Sequence, residues 1–322
     1  MDFLGQRMPY VTAFSKALGT GMMISADSPI GDESRSAMES LIEDYEHVLS
    51  RFRNDSLIAA IGKAEHGGSF DFPDWCAPLF DLYDALFSAT SGAIDPCVGE
   101  DLIRLGYDAS LSFTVTQDAP EHLGALRGRA VWGRDVTRHG TTLVTHEPVQ
   151  LDFGACGKGY LVDLLGRMLQ SSQFVIDAGG DLLIHAEQPI SVALEDPEDS
   201  SRAIGVAHIV NGALCASAPS RRHWNVAVNE RTQIAIHHLL NAINGLPAQQ
   251  TEASWAYVPA NATPDIARDY PAAVADGLAT ALFVSDATQL QRTFDFAYAT
   301  LDESRQIAVS RNFPAELFLR SA

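Results

Sequence analysis

Asp276 and Thr280 stand four residues apart in a stretch, Ala272 to Val284, whose Ala275, Leu278, Ala279 and Leu282 fall on one side of a helix. A carboxylate and a hydroxyl therefore project from one face about a turn apart. Two hard oxygens at that spacing suit Mg²⁺, which takes octahedral oxygen ligands and shares a substrate's phosphates. The same pair also fits a purely structural use, with Asp276 complementing the helix dipole and Thr280 bonding back to a carbonyl. A second segment, Asp152-Phe153-Gly154-Ala155-Cys156-Gly157-Lys158-Gly159-Tyr160, sets a carboxylate and an ammonium around small residues that let a ligand approach the main chain. Such a loop suits a phosphate or a metal-bound phosphate. It is not the Walker sequence, because no Ser or Thr follows the lysine and the glycine spacing differs; its glycines also fit a plain tight strand-to-helix connection. His237 and His238 open a third segment, HHLLNAINGLPA, read as a strand and a turn at Asn244-Gly245. A histidine there is either a general base that accepts a proton near neutrality or a merely satisfied side chain. Trp75, Trp132, Trp224 and Trp255 are candidates for stacking on an aromatic ligand, with core packing as the alternative.

These residues need elements to hold them. Ser36 to Phe52 reads as a helix behind a Ser36-Ala37-Met38-Glu39 capping box, and Asp74 to Ala89 as a second helix with Leu79, Leu82, Tyr83, Leu86 and Phe87 as its apolar stripe. Thr142 to Thr145 and Val149 to Phe153 read as short strands. The glycine-bearing turn Gly154 to Gly159 follows, then a helix with Leu161, Leu164, Leu165 and Met168 in phase. Phe174 to Ala178, Leu182 to His185, Ile190 to Leu194 and Ile204 to Val210 are strand-like runs broken by turn signals, which an antiparallel meander explains. Gln306 to Ser310 and Glu316 to Leu319 are expected as closing strands. The mixture argues an α+β fold.

Composition narrows the partners. The 322 residues carry 22 Lys+Arg against 41 Asp+Glu, a formal charge of −19. That balance repels phosphate backbones and anionic headgroups, so neither nucleic acid nor membrane is an expected partner. Cys76, Cys97, Cys156 and Cys215 are widely spread, with neither a C-x-x-C pair nor zinc-finger spacing. With no signal-like start and no run of 18 apolar residues, a soluble cytoplasmic protein is expected.

Taken in order, these pieces resemble the ApbE family of flavin transferases, which move FMN from FAD onto a Ser or Thr of a target flavoprotein. Leu18-Gly19-Thr20 is similar to the family's Met-Gly-Thr opening, Ser50-Arg51-Phe52 with Asp55-Ser56 to its Ser-x-aromatic…Ser element, and Gly92-Ala93-Ile94-Asp95-Pro96 to Gly-Ala-Phe-Asp-Pro. Asp152 to Asp163 resembles Asp-Leu-Gly-Gly-Ile-Ala-Lys-Gly-Tyr-x-x-Asp, Ile176 to Leu182 the Gly-Gly-Asp turn, and Ala275 to Leu282 the run Ala-Asp-Ala-Leu-Ala-Thr-Ala-Leu. The resemblance implies one ApbE-like domain over residues 1–322. It also implies an α+β fold of mixed or antiparallel sheets with flanking helices and T-fold-like interleaved lobes. The nucleotide is then expected in a cleft between the lysine loop and the late helix.

By the same resemblance, the Ala155 carbonyl, Asp276, the Ala279 carbonyl and Thr280 would hold Mg²⁺. Asp152 and Lys158 would contact FAD as substrate, and Leu18, Phe52, Ala93, Ile94 and Asp95 would line the flavin pocket. His238 would activate the acceptor hydroxyl, with His237 as the fallback. The chain departs from the pattern after His238, where the family's Asp-Pro-Arg-Thr becomes Asn241-Ala242-Ile243-Asn244, and upstream, where Thr-Ser-Gly becomes Ala216-Ser217-Ala218. Arg221 or Arg222 is a candidate for the lost cation. The expected activity is Mg²⁺-dependent transfer of FMN from FAD to a Ser/Thr of an acceptor flavoprotein, with AMP leaving. An FAD pyrophosphatase giving FMN and AMP and a non-catalytic FAD-binding protein are the alternatives.

Overall fold

The strand-like runs assemble into one antiparallel sheet. In the computed structural model, which describes residues 4–229 and 232–318, the order across it is Tyr10–Ala17, Thr20–Ala26, Phe174–Asp177, Asp181–Asp196, Asp199–Ser217, Thr251–Pro259, Ala297–Asp302 and Ile307–Val309. Ala315–Leu317 also pairs with Asp199–Ser217. Side chains alternate across a strand, so sequence neighbours part to opposite faces. Ile176, Ala213 and Ala256 join the larger core, whereas Val175, Leu214 and Trp255 join a second one.

Thr20–Ala26 pairs directly with Phe174–Asp177. The chain between them leaves the sheet to form a helical layer and a small sheet in which Thr142–Thr145 lies between Gly68–Asp71 and Val136–His139. The larger core fills from that layer, with Tyr45 of helix Asp32–Leu49, Tyr83 and Leu86 of Ala77–Ala89 and Leu161 and Leu165 of Gly157–Gly166, and from the later helix Pro271–Ala281 through Leu278. Among the described residues no helix is long and apolar enough to cross a membrane.

The α+β class and the antiparallel meander are borne out, and several boundaries are corrected. The first long helix begins at Asp32 behind Gly31, so Ser36 lies inside it and makes no capping box; Asp32 and Glu33 complement the dipole instead. It stops at Leu49, leaving Phe52 outside and 42% exposed. Val149–Phe153 is not a ladder strand. Val149, Leu151 and Phe153 are buried in alternation, which imitates a strand, but the segment's backbone makes one bond to another segment's backbone, from Asp152 N–H to the Pro96 carbonyl at 2.7 Å. The two runs Leu182–His185 and Ile190–Leu194 are one strand with a shift of register between them. His237 closes strand Thr232–His237, and Leu240–Asn241 then pairs with Leu246–Pro247. The closing strands are Ile307–Val309 and Ala315–Leu317; Leu319 lies outside the described residues. Trp132, Trp224 and Trp255 are buried, and Trp75 stacks on Tyr45 with ring centroids 5.3 Å apart.

Candidate functional site

Two helices that begin more than a hundred residues apart in sequence are locked together by a carboxylate. Helix Pro271–Ala281 has no side-chain cap of its own, yet its first N–H groups need acceptors. Asp163, buried on helix Gly157–Gly166, supplies them: its oxygens accept from Ala272 N–H at 3.1 Å and Ala273 N–H at 2.8 Å. Burial pushes the Asp163 carboxyl up to about 8, against the pull of those two N–H groups. The helices touch at Gly159, where a Cβ would stand 2.1 Å from the Ala272 carbonyl oxygen. Only a residue without a side chain permits that approach.

This contact brings Lys158 to Asp276. The Lys158 ammonium donates to Asp181 and lies 3.3 Å from Asp276 Oδ1, while Gly159 N–H donates to Asp276 Oδ2 at 3.0 Å. Asp181 follows the Gly179-Gly180 turn, where both glycines have positive φ, +72° and +110°. Burial disfavours the charged lysine, but Asp181 and Asp276 outweigh it and hold the ammonium protonated far above the usual lysine range. Burial and the like charge of Asp181 push the Asp276 carboxyl up from the usual carboxylate range, with Lys158 and the Gly159 N–H opposing. The lysine side chain remains 36% exposed, so part of it reaches solvent while its ammonium faces the carboxylates.

The Mg²⁺ donors expected from sequence gather here in part. Thr280 Oγ1 lies 3.5 Å from the Ala155 carbonyl and 3.5 Å from Ser217 Oγ. The Ala279 carbonyl already accepts from buried Ser254 Oγ at 2.6 Å, which leaves it one lone pair. Among the described residues no three His, Cys, Asp or Glu side chains form a metal-ligand group; the expected set takes two of its donors from the main chain. The residues nevertheless fit a hard cation. Asp181 and Asp276 carry one more negative charge than Lys158 neutralises, Asp181 Oδ1 is buried without a hydrogen-bond partner, and the donors are all oxygen.

A second arm leads from the lysine loop to the histidines. Asp152 is ion-paired with Arg51 and accepts from Gly154 N–H at 2.6 Å. The Arg51 guanidinium lies over the rings of Phe52 and Tyr107, 4.2 and 4.6 Å from their centroids. Tyr107 stacks on Trp224 at 5.8 Å and meets His238 edge-on at 6.4 Å. His238 Nδ1 is paired with the Arg222 carbonyl at 3.1 Å, so Nδ1 carries the hydrogen and Nε2 is left to accept one. Burial, the largest effect, pushes His238 down to about 4, so the ring is neutral across the physiological range. His237 has both nitrogens engaged, Nε2 with the Ala248 carbonyl at 2.9 Å and Nδ1 with Leu239 N–H at 3.3 Å. Of the two, only His238 has a ring nitrogen to spare.

The remaining expected residues lie around this centre. Leu18, at φ +53° in the two-residue turn of the first hairpin, donates its N–H to Glu46 Oε1 at 2.7 Å and packs on the larger core. Ala93, Ile94 and Asp95 are all buried. The Asp95 side chain accepts from Cys97 N–H at 2.8 Å and lies 3.4 Å from Arg129, so it works inside the fold. Arg221 pairs with Glu195 at 2.9 Å, whereas the Arg222 backbone carbonyl is what holds His238. Sequence reasoning gave no role to Asp181, Arg51, Asp163 or Arg129. Asp181 was announced by its Gly-Gly-Asp turn; Arg51 stood beside the aromatic of a quoted motif.

A sheet of long antiparallel strands and two abutting helices that clamp a lysine between carboxylates define an α+β protein with an oxygen-lined centre suited to a hard cation. The profile of the ApbE family matches residues 18–300, and the chain belongs to that family. Among its relatives are enzymes named FAD:protein FMN transferase. That of Treponema pallidum (strain Nichols) is 27% identical over 274 residues, 76% of this chain and 69% of that protein. That of Chlamydia muridarum (strain MoPn / Nigg) is 24% identical over 276 residues, 82% and 80%. Two solved structures share the fold. The ApbE protein of Thermotoga maritima has a TM-score of 0.76 at 19% identity over 95% of this chain and 99% of its own. The flavin transferase ApbE of Vibrio cholerae has 0.73 at 16% identity over 94% and 97%.

Proposed function

We propose that the protein, acting as one domain over residues 1–322, is a Mg²⁺-dependent FAD:protein FMN transferase. It would move FMN from FAD to a Ser/Thr hydroxyl of an acceptor flavoprotein and release AMP. The observation that carries the reading is the convergence of the lysine loop on the late helix, with Lys158 held between Asp181 and Asp276 beside Thr280 and the Ala155 carbonyl. Mg²⁺, held by Asp276, Thr280 and the Ala155 and Ala279 carbonyls, would supply neutralisation of the diphosphate charge. Lys158 adds a fixed positive charge for the same oxygens. Phe52, with its ring partly exposed, Leu18, Ala93, Ile94 and Asp95 would line the flavin pocket, and Asp152 would contact FAD together with Lys158. His238 Nε2 accepts the proton of the attacking hydroxyl as the new oxygen–phosphorus bond forms and the bond to AMP breaks. Its neutrality at pH 7 supports that role. Cytoplasmic residence belongs to the same reading and is supported by four buried, unpaired cysteines.

One observation favours a second reading, an FAD pyrophosphatase: no charged side chain stands between Asn241 and Asn244 to orient an acceptor. The protein is incubated with FAD and Mg²⁺, with and without a Ser/Thr-containing flavoprotein, and AMP is followed by chromatography. Transfer predicts AMP release that depends on the acceptor. Rapid AMP release in its absence would favour hydrolysis, and bound FAD with no AMP under either condition would leave a binding protein.

A further inference from the structure

A second buried charged cluster lies under the segment that follows His238. The Arg129 side chain is fully buried. It donates to the Ala242 carbonyl at 2.7 Å and to the Ala130 carbonyl at 2.5 Å, and lies 3.4 Å from Asp95 and 2.8 Å from Asp101. The second oxygen of Asp101 accepts from Gly124 N–H at 2.8 Å. Residues 124–126 then grip the same turn: Ala125 N–H donates to the Ala242 carbonyl at 3.2 Å and Leu126 N–H to the Ile243 carbonyl at 3.1 Å. Ala242 N–H in turn donates to the Ala93 carbonyl at 3.0 Å, within the motif that carries Asp95. Ala242 is thus tied at both ends of its peptide, and Arg129 is the one charged group on it. His238, four residues upstream, is held on its other side through the Arg222 carbonyl.

Desolvating a guanidinium and two carboxylates is costly, and such a cluster adds little stability over an apolar packing of the same volume. Its geometric effect is specific: it fixes the turn to the residue 93–95 motif and so fixes the segment that presents the imidazole. We infer that Arg129 is a positioning residue for His238, holding from a distant part of the chain the turn at Ala242 that follows the imidazole. The inference rests on the transferase reading only for its activity readout.

The test is Arg129→Gln in the full chain, with ¹⁵N-histidine NMR of His238 assigned against His238→Gln. AMP release from FAD and Mg²⁺ in the presence of a Ser/Thr-containing acceptor flavoprotein and the FAD dissociation constant are measured alongside. A loosened turn is expected to expose the ring, raising the His238 pKa by about 1–2 units toward its ordinary value. Turnover is expected to fall by about 10–100-fold, the usual scale of a small misplacement, with FAD affinity changed less than about twofold. Where the Gln variant does not fold, Arg129→Lys keeps the charge that balances Asp95 and Asp101 but loses the fork, and the same criteria apply. A folded variant with an unmoved His238 titration overturns the inference, as does unchanged turnover where the wild type turns over FAD. If the wild type releases no AMP even with an acceptor flavoprotein present, the transferase reading fails and the NMR titration alone decides the role of Arg129.

Discussion

Gly159→Ala tests whether the two helices must touch for the centre to exist. Gly159 lies outside the left-handed region, so alanine meets no backbone penalty and only space matters. A Cβ there would sit 2.1 Å from the Ala272 carbonyl oxygen and 2.5 Å from its carbon, both backbone atoms of the opposing helix. A tolerable carbon–oxygen contact is about 3.3 Å, so the helices must part by about 1.2 Å. Overpacking of this kind costs about 1–3 kcal/mol. The parting also stretches the Gly159 N–H bond to Asp276, a charge-assisted bond of about 1.5–3 kcal/mol. Together these predict a loss of about 2.5–6 kcal/mol, read as a lower urea midpoint at unchanged slope. AMP release from FAD should fall by about 100-fold, because Lys158 and Asp276 move apart. Gly157→Ala is the control: its Cβ would meet only the Tyr45 hydroxyl at 3.4 Å, an ordinary contact. A Gly159→Ala protein with wild-type midpoint and turnover would refute the reasoning.

Other outcomes follow from the same geometry. Asp276→Asn keeps an oxygen for the Gly159 N–H and removes the charge that Asp181 repels; the protein should stay folded at pH 7 by circular dichroism while Mg²⁺-dependent AMP release falls at least about 100-fold. Asp163 is raised to about 8 in the fold, so its contribution is present in full below about pH 4 and is lost as pH rises through about 8. Asp163→Asn should flatten that part of the urea-midpoint profile between pH 5 and 9. His238 runs the other way: held down at about 4, it contributes stability above about pH 6.5 that is lost as pH falls through about 4. His238→Gln should abolish transfer with FAD affinity within about twofold, whereas His237→Gln should cost about 1–3 kcal/mol of stability, read as a lower urea midpoint, through the orphaned Leu239 N–H and Ala248 carbonyl, and spare transfer.

What was legible in the sequence was local. Helical phase set Asp276 and Thr280 on one face, and the small residues around Lys158 marked a turn open to a ligand; the two meet in the structure. What was hidden depends on partners distant in the chain. Asp163 caps a helix 109 residues further on, where a search for caps within the first turn finds only Tyr270 and Pro271. Arg129 and Asp95 are 34 residues apart with no periodicity between them, and nothing in either motif announces their pairing. Val149–Phe153 alternates as a strand does because alternate side chains are buried, and sequence alone does not say whether a ladder partner exists. The capping box at Ser36 failed for a related reason: the acids four residues earlier make the better helix start.

The most direct measurement is the intact mass of a candidate acceptor flavoprotein after incubation with this protein, FAD and Mg²⁺. The account predicts an increase equal to one FMN less water on a Ser or Thr, matched by AMP and absent when the enzyme carries Asp276→Asn. AMP accumulating in step with free FMN, while every acceptor keeps its starting mass, would contradict it.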